Sequence, residues 1–119
     1  MTAPQPPALR FRLLLDADHA IGPGKTDLLE TIAKTGSISA AGRAMGMSYK
    51  RAWQLVDELN RSFATPLVST SKGGERGGGA QLTPTGQHVL DAYRSIERKA
   101  QRLLSAELRQ LALLRNKPE

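Results

Sequence analysis

Five polar or charged side chains fall within one seven-residue stretch, and their types suit contacts with nucleic acid. Ser48, Tyr49, Lys50, Arg51 and Gln54 offer hydroxyl, ammonium, guanidinium and amide groups. Lysine, arginine and glutamine hydrogen-bond to base edges, and the two basic types also neutralise phosphates. The stretch therefore predicts a DNA-binding surface, whereas the less specific interpretation is a solvated helix face.

Three further basic residues are candidates for phosphate contacts. Arg61 follows on the same predicted helix, and Lys72 and Arg76 stand in a glycine-rich run over residues 72–79. A run of glycines is a weak match to a nucleotide phosphate loop, because no Gly-Lys-Ser/Thr sequence follows it and a strand comes next. We interpret the run as a basic loop that reaches DNA phosphates or the minor groove.

The distribution of charge supports contact with a polyanion. The formal net charge is +6, and residues 31–83 carry seven basic and three acidic groups while residues 84–119 carry seven and four. Neutralised phosphates release counterions, so basic charge on a reading unit favours DNA binding. Aromatic residues make up only 4% of the chain, which argues against the stacking platform of RNA-binding sheets.

Catalytic and metal chemistry have little support in the sequence. The Asp16-x-Asp18-His19 cluster lacks further ligands at metal-site spacing, so we predict a loop there and no metal. The chain has no cysteine. His19 and His88 lie far apart, and neither accompanies a nucleophile and base, so we predict no enzyme activity, no catalytic residue and no cofactor.

The candidate DNA contacts lie in a predicted helix-turn-helix over residues 35–63. A short helix capped by Ser37 or Ser39 is followed by a tight turn at Gly46 and a longer helix capped by Ser48. On a helical wheel the longer helix has one apolar arc, formed by Ala52, Val56, Leu59 and Phe63, with Leu55 at its margin. Lys50, Gln54, Asp57 and Arg61 point the other way.

Trp53 lies on the flank between these two faces and has two interpretations. It contacts the sugar–phosphate backbone or lines a ligand pocket, or it is a half-buried residue that braces the helix. The sequence favours the brace.

The chain before the helix-turn-helix predicts an irregular segment, a strand and a helix. Residues 1–8 contain three prolines and are predicted to be disordered. Leu9, Phe11, Leu13 and Leu15 alternate with polar residues, as in a strand with one apolar face. The apolar spacing over residues 25–35 predicts a helix that stops at Gly36.

Two short strands, at residues 66–71 and 80–83, flank the glycine-rich loop and predict a β-hairpin wing. Thr83-Pro84 then opens a last helix predicted to run to about residue 116, roughly 50 Å at about 1.5 Å per residue. Its apolar seam comprises Val89, Tyr93, Ile96, Ala100 and Leu103, followed by Leu104, Leu108 and Leu111. So long a helix predicts a second copy as partner, the alternative being an end that frays or folds back.

Several strings in the chain resemble the N-terminal domain of the ModE-type molybdate-responsive transcription regulators, a winged helix related to LysR-type DNA-binding domains. The strings are Ser37-Ile38-Ser39-Ala40-Ala41-Gly42, Met47-Ser48-Tyr49-Lys50-Arg51-Ala52-Trp53, Leu67-Val68, Gly73-Gly74-x-x-Gly77-Gly78-Gly79-Ala80 and Leu82-Thr83-x-x-Gly86. The resemblance covers roughly residues 11–104. It implies a homodimer on a palindromic operator, a recognition helix that starts at residues 48–51 and a wing tip at residues 72–79.

Two departures from the family bear on function. Ser69-Thr70 stand where the family commonly has Glu-Arg, which shifts the expected phosphate contacts of the wing to Lys72 and Arg76. The 119 residues leave no room for the family's molybdate-binding modules, so we do not carry molybdate sensing over from the family. The alternatives are a stand-alone regulator, a regulator that takes its signal from a partner, and a part of a longer protein.

The predicted fold is mainly α with a small β-hairpin: a winged helix-turn-helix over residues 9–83 and a long dimerisation helix over residues 84–119. We expect a homodimeric regulator of molybdate transport or molybdoenzyme genes that binds double-stranded DNA in the cytoplasm, with no membrane segment. The alternatives are an interaction adaptor that pairs with another regulator through the long helix, and a protein that binds a small anion such as molybdate directly.

Overall fold

The described residues of the computed structural model, 7–71 and 79–116, form five helices and four short strands. In chain order these elements are β1 (Leu13–Leu14), β2 (Ala20–Ile21), α1 (Pro23–Thr35), α2 (Ile38–Ala44), α3 (Tyr49–Ser62), β3 (Val68–Ser71), β4 (Gly79–Leu82), α4 (Pro84–Leu103) and α5 (Ser105–Leu114). The strands make two antiparallel hairpins, β1–β2 and β3–β4. The predicted winged helix-turn-helix is confirmed, with α2 and α3 as the helix-turn-helix and β3–β4 as the wing.

Local signals in the sequence set the helix boundaries. The hydroxyls of Ser37, Ser48 and Thr83 accept hydrogen bonds from the backbone N–H three residues on, at 3.1, 3.0 and 3.0 Å. Gly36 ends α1 and Gly46 turns the chain between α2 and α3, at φ 71° and 69°. Only glycine adopts these left-handed angles without a steric cost, so both turns are encoded locally.

The core lies where α1, α2 and α3 meet the base of the wing. Six apolar side chains there have no solvent exposure: Leu28, Leu29, Ile32, Ala41, Ala52 and Leu67. Helix α2 approaches α3 closely through Gly42, because a Cβ atom there would lie 3.1 Å from the Cβ of Ala52. The small residues of α2 thus set the distance between the two helices.

The wing is attached to the helices at its base. In the β3–β4 hairpin Val68 pairs with Leu82 and Ser71 pairs with Gly79. The backbone N–H of Ala80 donates to the carbonyl of Gly36 at 2.9 Å, which joins β4 to the turn between α1 and α2. The wing therefore keeps a defined position relative to the helix-turn-helix.

The predicted strand over residues 9–15 is mostly not a strand. Only Leu13–Leu14 pair, with Ala20–Ile21 across the first hairpin, and Leu15 is 45% exposed. Residues 7–11 instead run along α4, where Gln101 hydrogen-bonds to the backbone of Pro7 and Leu9. Apolar and polar residues alternate in this segment because it is extended and packs one side on α4. Of residues 1–8, predicted to be disordered, residues 1–6 lie outside the described residues, and the carbonyl of Pro7 accepts a hydrogen bond from Gln101 at 3.2 Å.

The last helical region differs from the predicted single helix. It is interrupted at Leu104, where φ is −98° and ψ is 11°, and no residue of α5 is buried. Tyr93, predicted to lie on the apolar seam, is 2% exposed and belongs to the core. Its ring stacks on Phe11 with centroids 5.1 Å apart, and its hydroxyl donates to the Phe11 carbonyl at 2.7 Å. The exposed apolar line of α4 consequently runs through Ala92, Ile96 and Leu103, while Val89 is partly buried against the core.

Candidate nucleic-acid interface

Helix α3 has one buried and one exposed face. Its buried residues are Ala52, Leu55, Val56 and Leu59. Phe63, predicted to continue this face, lies just past the helix end and packs on the core while partly exposed. The opposite face carries Lys50, Gln54, Asp57 and Arg61, all exposed. The predicted outward set is therefore available to a ligand.

The first turn of α3 concentrates the predicted contacts. Ser48, Tyr49, Lys50 and Arg51 are all exposed there, and Gln54 lies one turn further along. The Ser48 hydroxyl accepts the Arg51 N–H at 3.0 Å, so its first role is to cap the helix. The N-terminal end of a helix carries partial positive charge, which adds to that of Lys50 and Arg51. This end of α3 is suited to approach a phosphate-lined groove.

Tyr49 and Trp53 form an aromatic pair beside this polar row. Their ring centroids are 6.2 Å apart with an interplanar angle of 66°, an edge-to-face arrangement. Trp53 is 38% exposed and Tyr49 63%. With Lys50, Gln54 and Asp57 they line one shallow cleft, which we call the Tyr49–Trp53 cleft. Trp53 thus pairs with Tyr49 and contributes a surface open to solvent, and its predicted role as a brace remains a prediction.

Arg61 lies apart from the other α3 candidates. It is three turns from Lys50, roughly 16 Å along the helix axis. Its guanidinium contacts the Asp57 carboxylate at 3.0 Å, and both side chains are more than half exposed. Asp57 alone would repel a phosphate backbone, and Arg61 offsets that charge. Its predicted phosphate contact remains a prediction.

Lys72 and Arg76, the predicted wing contacts, lie outside the described residues. The hairpin that carries them is described up to Ser71 and from Gly79, whose backbone N–H donates to the Ser71 hydroxyl at 3.3 Å. Ser71 and Gly79, the described residues on either side of positions 72–78, are therefore adjacent. Their contacts with DNA remain a prediction.

Asn60 is a positioning residue that sequence reasoning missed. Its Oδ1 accepts the backbone N–H groups of Leu67 and Val68 at 2.9 and 3.0 Å, and its Nδ2 donates to the Val68 carbonyl at 3.3 Å. These three bonds join the end of α3 to the start of β3. A polar residue near a helix end, just before a strand, is too common a pattern to have identified it.

Arg94 joins α4 to α1 through a second network that the sequence did not indicate. Its guanidinium contacts Asp27 at 2.8 Å, Glu30 at 3.2 Å and Glu97 at 2.8 Å. Partial burial disfavours the charged form, but the hydrogen bonds to Asp27 and Glu97 outweigh it and raise the pKa of Arg94. The network fixes the direction in which α4 leaves the domain.

The Asp16–His19 segment is the turn of the first hairpin. The Asp16 carboxylate accepts the backbone N–H groups of Asp18 and His19, both at 2.9 Å, and lies 2.9 Å from the His19 Nδ1. The hydrogen bond with His19, together with that from Asp18, lowers the pKa of Asp16. These contacts give the motif a structural role that local hydrogen bonding explains.

Residues 7–71 and 79–116 contain neither a metal-binding cluster nor a membrane-spanning helix. No group of three or more histidine, aspartate or glutamate side chains is arranged there to hold a metal ion. Over the same residues, no helix combines the length and apolar character that a membrane crossing requires.

Comparison with known sequences supports the geometry. Residues 25–87 match the model of the bacterial regulatory helix-turn-helix proteins of the lysR family. The molybdenum-pterin-binding protein MopB of Rhodobacter capsulatus is 46% identical over 86 residues, covering 72% of this chain and 32% of that protein. The DNA-binding transcriptional dual regulator ModE of Escherichia coli (strain K12) is 41% identical over 86 residues, covering 70% and 33%. The chain spans about a third of the length of these relatives, and the resemblance to ModE-type regulators is confirmed.

Solved structures share the fold at low sequence identity. A MarR family transcription regulator, SP03579, superposes with a TM-score of 0.59 at 21% identity, covering 79% of this chain and 63% of that one. The chain in the CbnR_DBD-DNA complex gives a TM-score of 0.56 at 22% identity, covering 77% and 97%. At these identities the likeness establishes the fold alone.

Proposed function

The chain belongs to the lysR family of bacterial regulatory helix-turn-helix proteins, and on that premise we propose that α3 reads base edges in the major groove of double-stranded DNA. A regulator of this family binds DNA and is not an enzyme, so no catalytic role is assigned to His19 or His88. One observation carries the proposal: α3 follows a helix-turn-helix turn and exposes Lys50, Arg51 and Gln54 on its free face. A helix so presented fits the major groove.

The proposed roles divide by chemistry. Lys50, Arg51 and Gln54 contact bases, with Ser48 and Tyr49 at the edge of the contact. Arg61, Lys72 and Arg76 contact phosphates, which position the protein but carry no sequence information. Residues 9–83 form the DNA-binding unit in this proposal, and residues 84–119 the dimerisation unit.

We further propose that the protein acts as a homodimer on a palindromic operator. Ile96 and Leu103 on α4 are 42% and 79% exposed, and they lie seven residues apart on one line of the helix. On α5, Leu111, Leu113 and Leu114 are 64%, 80% and 81% exposed. A second copy paired along this surface would cover these five apolar side chains and place two α3 helices by two-fold symmetry.

The proposed targets are genes of molybdate transport or of molybdoenzymes. Support comes from the relatives, among them the molybdenum transport protein ModE of Azotobacter vinelandii, 38% identical over 94 residues that cover 76% of this chain and 35% of that protein. Two functions compete with this proposal. One is direct binding of molybdate, and the other is pairing with a different regulator through α4 and α5.

The test is selection of bound sequences from random duplex DNA, with and without molybdate. We expect enrichment of one palindromic sequence that does not depend on molybdate. Recovery of unrelated sequences would contradict the reading role of α3. Sedimentation of the free protein separates a homodimer from an adaptor monomer, and calorimetry with molybdate tests direct anion binding.

A further inference from the structure

The Tyr49–Trp53 cleft places apolar surface where a DNA-reading helix normally presents polar groups. Tyr49 is 63% exposed and Trp53 38%, so the pair leaves a large aromatic surface open to solvent. The two rings are arranged edge to face with centroids 6.2 Å apart, so each ring restricts the other. The pair forms the wall of the cleft. Packing in the core does not explain why these two aromatic side chains stand on the surface.

The polar members of the cleft indicate what it faces. Lys50 and Gln54 line it and are themselves candidates for base contacts. Asp57 lines it too, with a side chain that is 65% exposed. Its carboxylate pairs with the Arg61 guanidinium at 3.0 Å, which offsets its charge. The cleft therefore combines the apolar surface of two rings with side chains that hydrogen-bond to base edges, and this combination suits the bases better than the sugar–phosphate backbone.

The major groove offers one prominent apolar group, the 5-methyl group of thymine. We infer that the Tyr49–Trp53 cleft binds a thymine methyl group next to the base read by Gln54 or Lys50, which makes Trp53 a specificity-determining residue. This inference rests on the proposed insertion of α3 into the major groove. The inference adds Trp53 to the polar residues proposed to contact DNA, and it identifies the thymine methyl group as what Trp53 recognises.

Deoxyuridine tests the inference, because it differs from thymidine by that methyl group alone. Each thymine of a selected operator is replaced in turn by deoxyuridine, symmetrically in both half-sites, and binding is measured for the wild-type protein and for Trp53→Ala. At one thymine position we expect the wild-type affinity to fall about fourfold per half-site, the loss typical of one methyl-sized group. The Trp53→Ala protein should bind the thymine and deoxyuridine operators with equal affinity. The Trp53→Phe protein should keep part of the wild-type preference for thymine.

Two results would overturn the inference. One is wild-type binding that no deoxyuridine substitution weakens. The other is a Trp53→Ala protein that loses affinity to the same extent on both DNAs while keeping the wild-type sensitivity to deoxyuridine, which is expected if the ring packs on sugar and phosphate. If Trp53→Ala fails to fold, Tyr49→Ala takes its place in the same comparison, because Tyr49 is exposed and lines the same cleft. Failure to select any DNA sequence would instead overturn the proposed function itself.

Discussion

Gly86, in the first turn of α4, lies directly against the backbone carbonyl of Leu67, the residue that leads into the wing. A Cβ atom at Gly86 would collide with the Leu67 carbonyl oxygen and lie 2.9 Å from its carbonyl carbon. The same carbonyl accepts the backbone N–H of Thr83 at 2.9 Å, so it has no freedom to move away. This contact determines how α4 meets the wing.

Replacement of Gly86 by alanine should destabilise the fold, because the added methyl group meets fixed backbone atoms. We expect a loss of about 1–3 kcal/mol in the free energy of unfolding, measured by urea titration. The matched control is Gly24→Ala in α1, where a Cβ atom meets nothing within 4 Å. It should stabilise by about 0.5–1 kcal/mol. Equal effects of the two changes would contradict the close contact.

Tyr93 should make stability fall at alkaline pH. Burial raises its pKa above the ordinary value of 10.0, and the charge of Glu97 raises it further. The folded state therefore holds the phenol proton more tightly than the unfolded chain. The resulting contribution to the free energy of unfolding is complete below the pKa that Tyr93 has in the unfolded chain. It is lost as the pH rises through the pKa of Tyr93 in the folded state.

The comparison of wild type with Tyr93→Phe isolates this effect. Near neutral pH the variant should be less stable by about 1 kcal/mol, since it lacks the hydrogen bond to the Phe11 carbonyl. The stability advantage of the wild type should shrink as pH rises above 10.0, the ordinary tyrosine value. A constant difference over that range, from urea titrations at each pH, would contradict the buried environment of Tyr93.

A charge on the exposed line of α4 should separate the proposed homodimer. Ile96→Glu buries a carboxylate in the interface if two copies pair there, and sedimentation equilibrium should shift from dimer to monomer. Gln87→Glu is the control, since it adds the same charge on a different face of α4. A dimer that survives Ile96→Glu would exclude this line as the interface.

Lys50→Ala should relax base preference. We expect a loss of about 1–3 kcal/mol on the selected operator and a smaller loss on operators altered at the contacted base. Lys34→Ala is the charge-matched control, because Lys34 lies on α1 with a side chain that is 73% exposed. Fluorescence anisotropy with matched and altered duplexes gives both affinities. If the Lys50→Ala protein kept the wild-type selectivity among operators, the assignment of α3 as the helix that reads bases would be wrong.

Lys72→Ala should act differently from Lys50→Ala. A phosphate contact contributes equally on all sequences, so the variant should bind every duplex more weakly and lower the dependence of log affinity on log salt by about one unit. Loss of affinity on the selected operator alone would instead assign Lys72 a base contact.

Much of the fold follows from short-range signals. The caps at Ser48 and Thr83 and the glycine at position 36 act through neighbours within a few residues, so the sequence predicted the helix boundaries near them. The periodicity of α3 likewise predicted which side chains face outward, and five candidates of the site lie together on its first two turns. The cleft beside them corresponds to the less favoured interpretation of Trp53, because a flank position on a helix is more typical of a brace.

The sequence by itself determined the helix-turn-helix, the wing and the outward face of α3, because capping, helical periodicity and strand alternation depend on residues close together in the chain. Only the tertiary structure decided that Tyr93 belongs to the core, that residues 7–11 pack on α4, and that Asn60 and Arg94 hold the wing and α4 in place. Those roles depend on partners distant in sequence, such as Phe11 for Tyr93 and Asp27 for Arg94. A pattern along the chain shows that a side chain needs a partner, but packing in three dimensions selects which one.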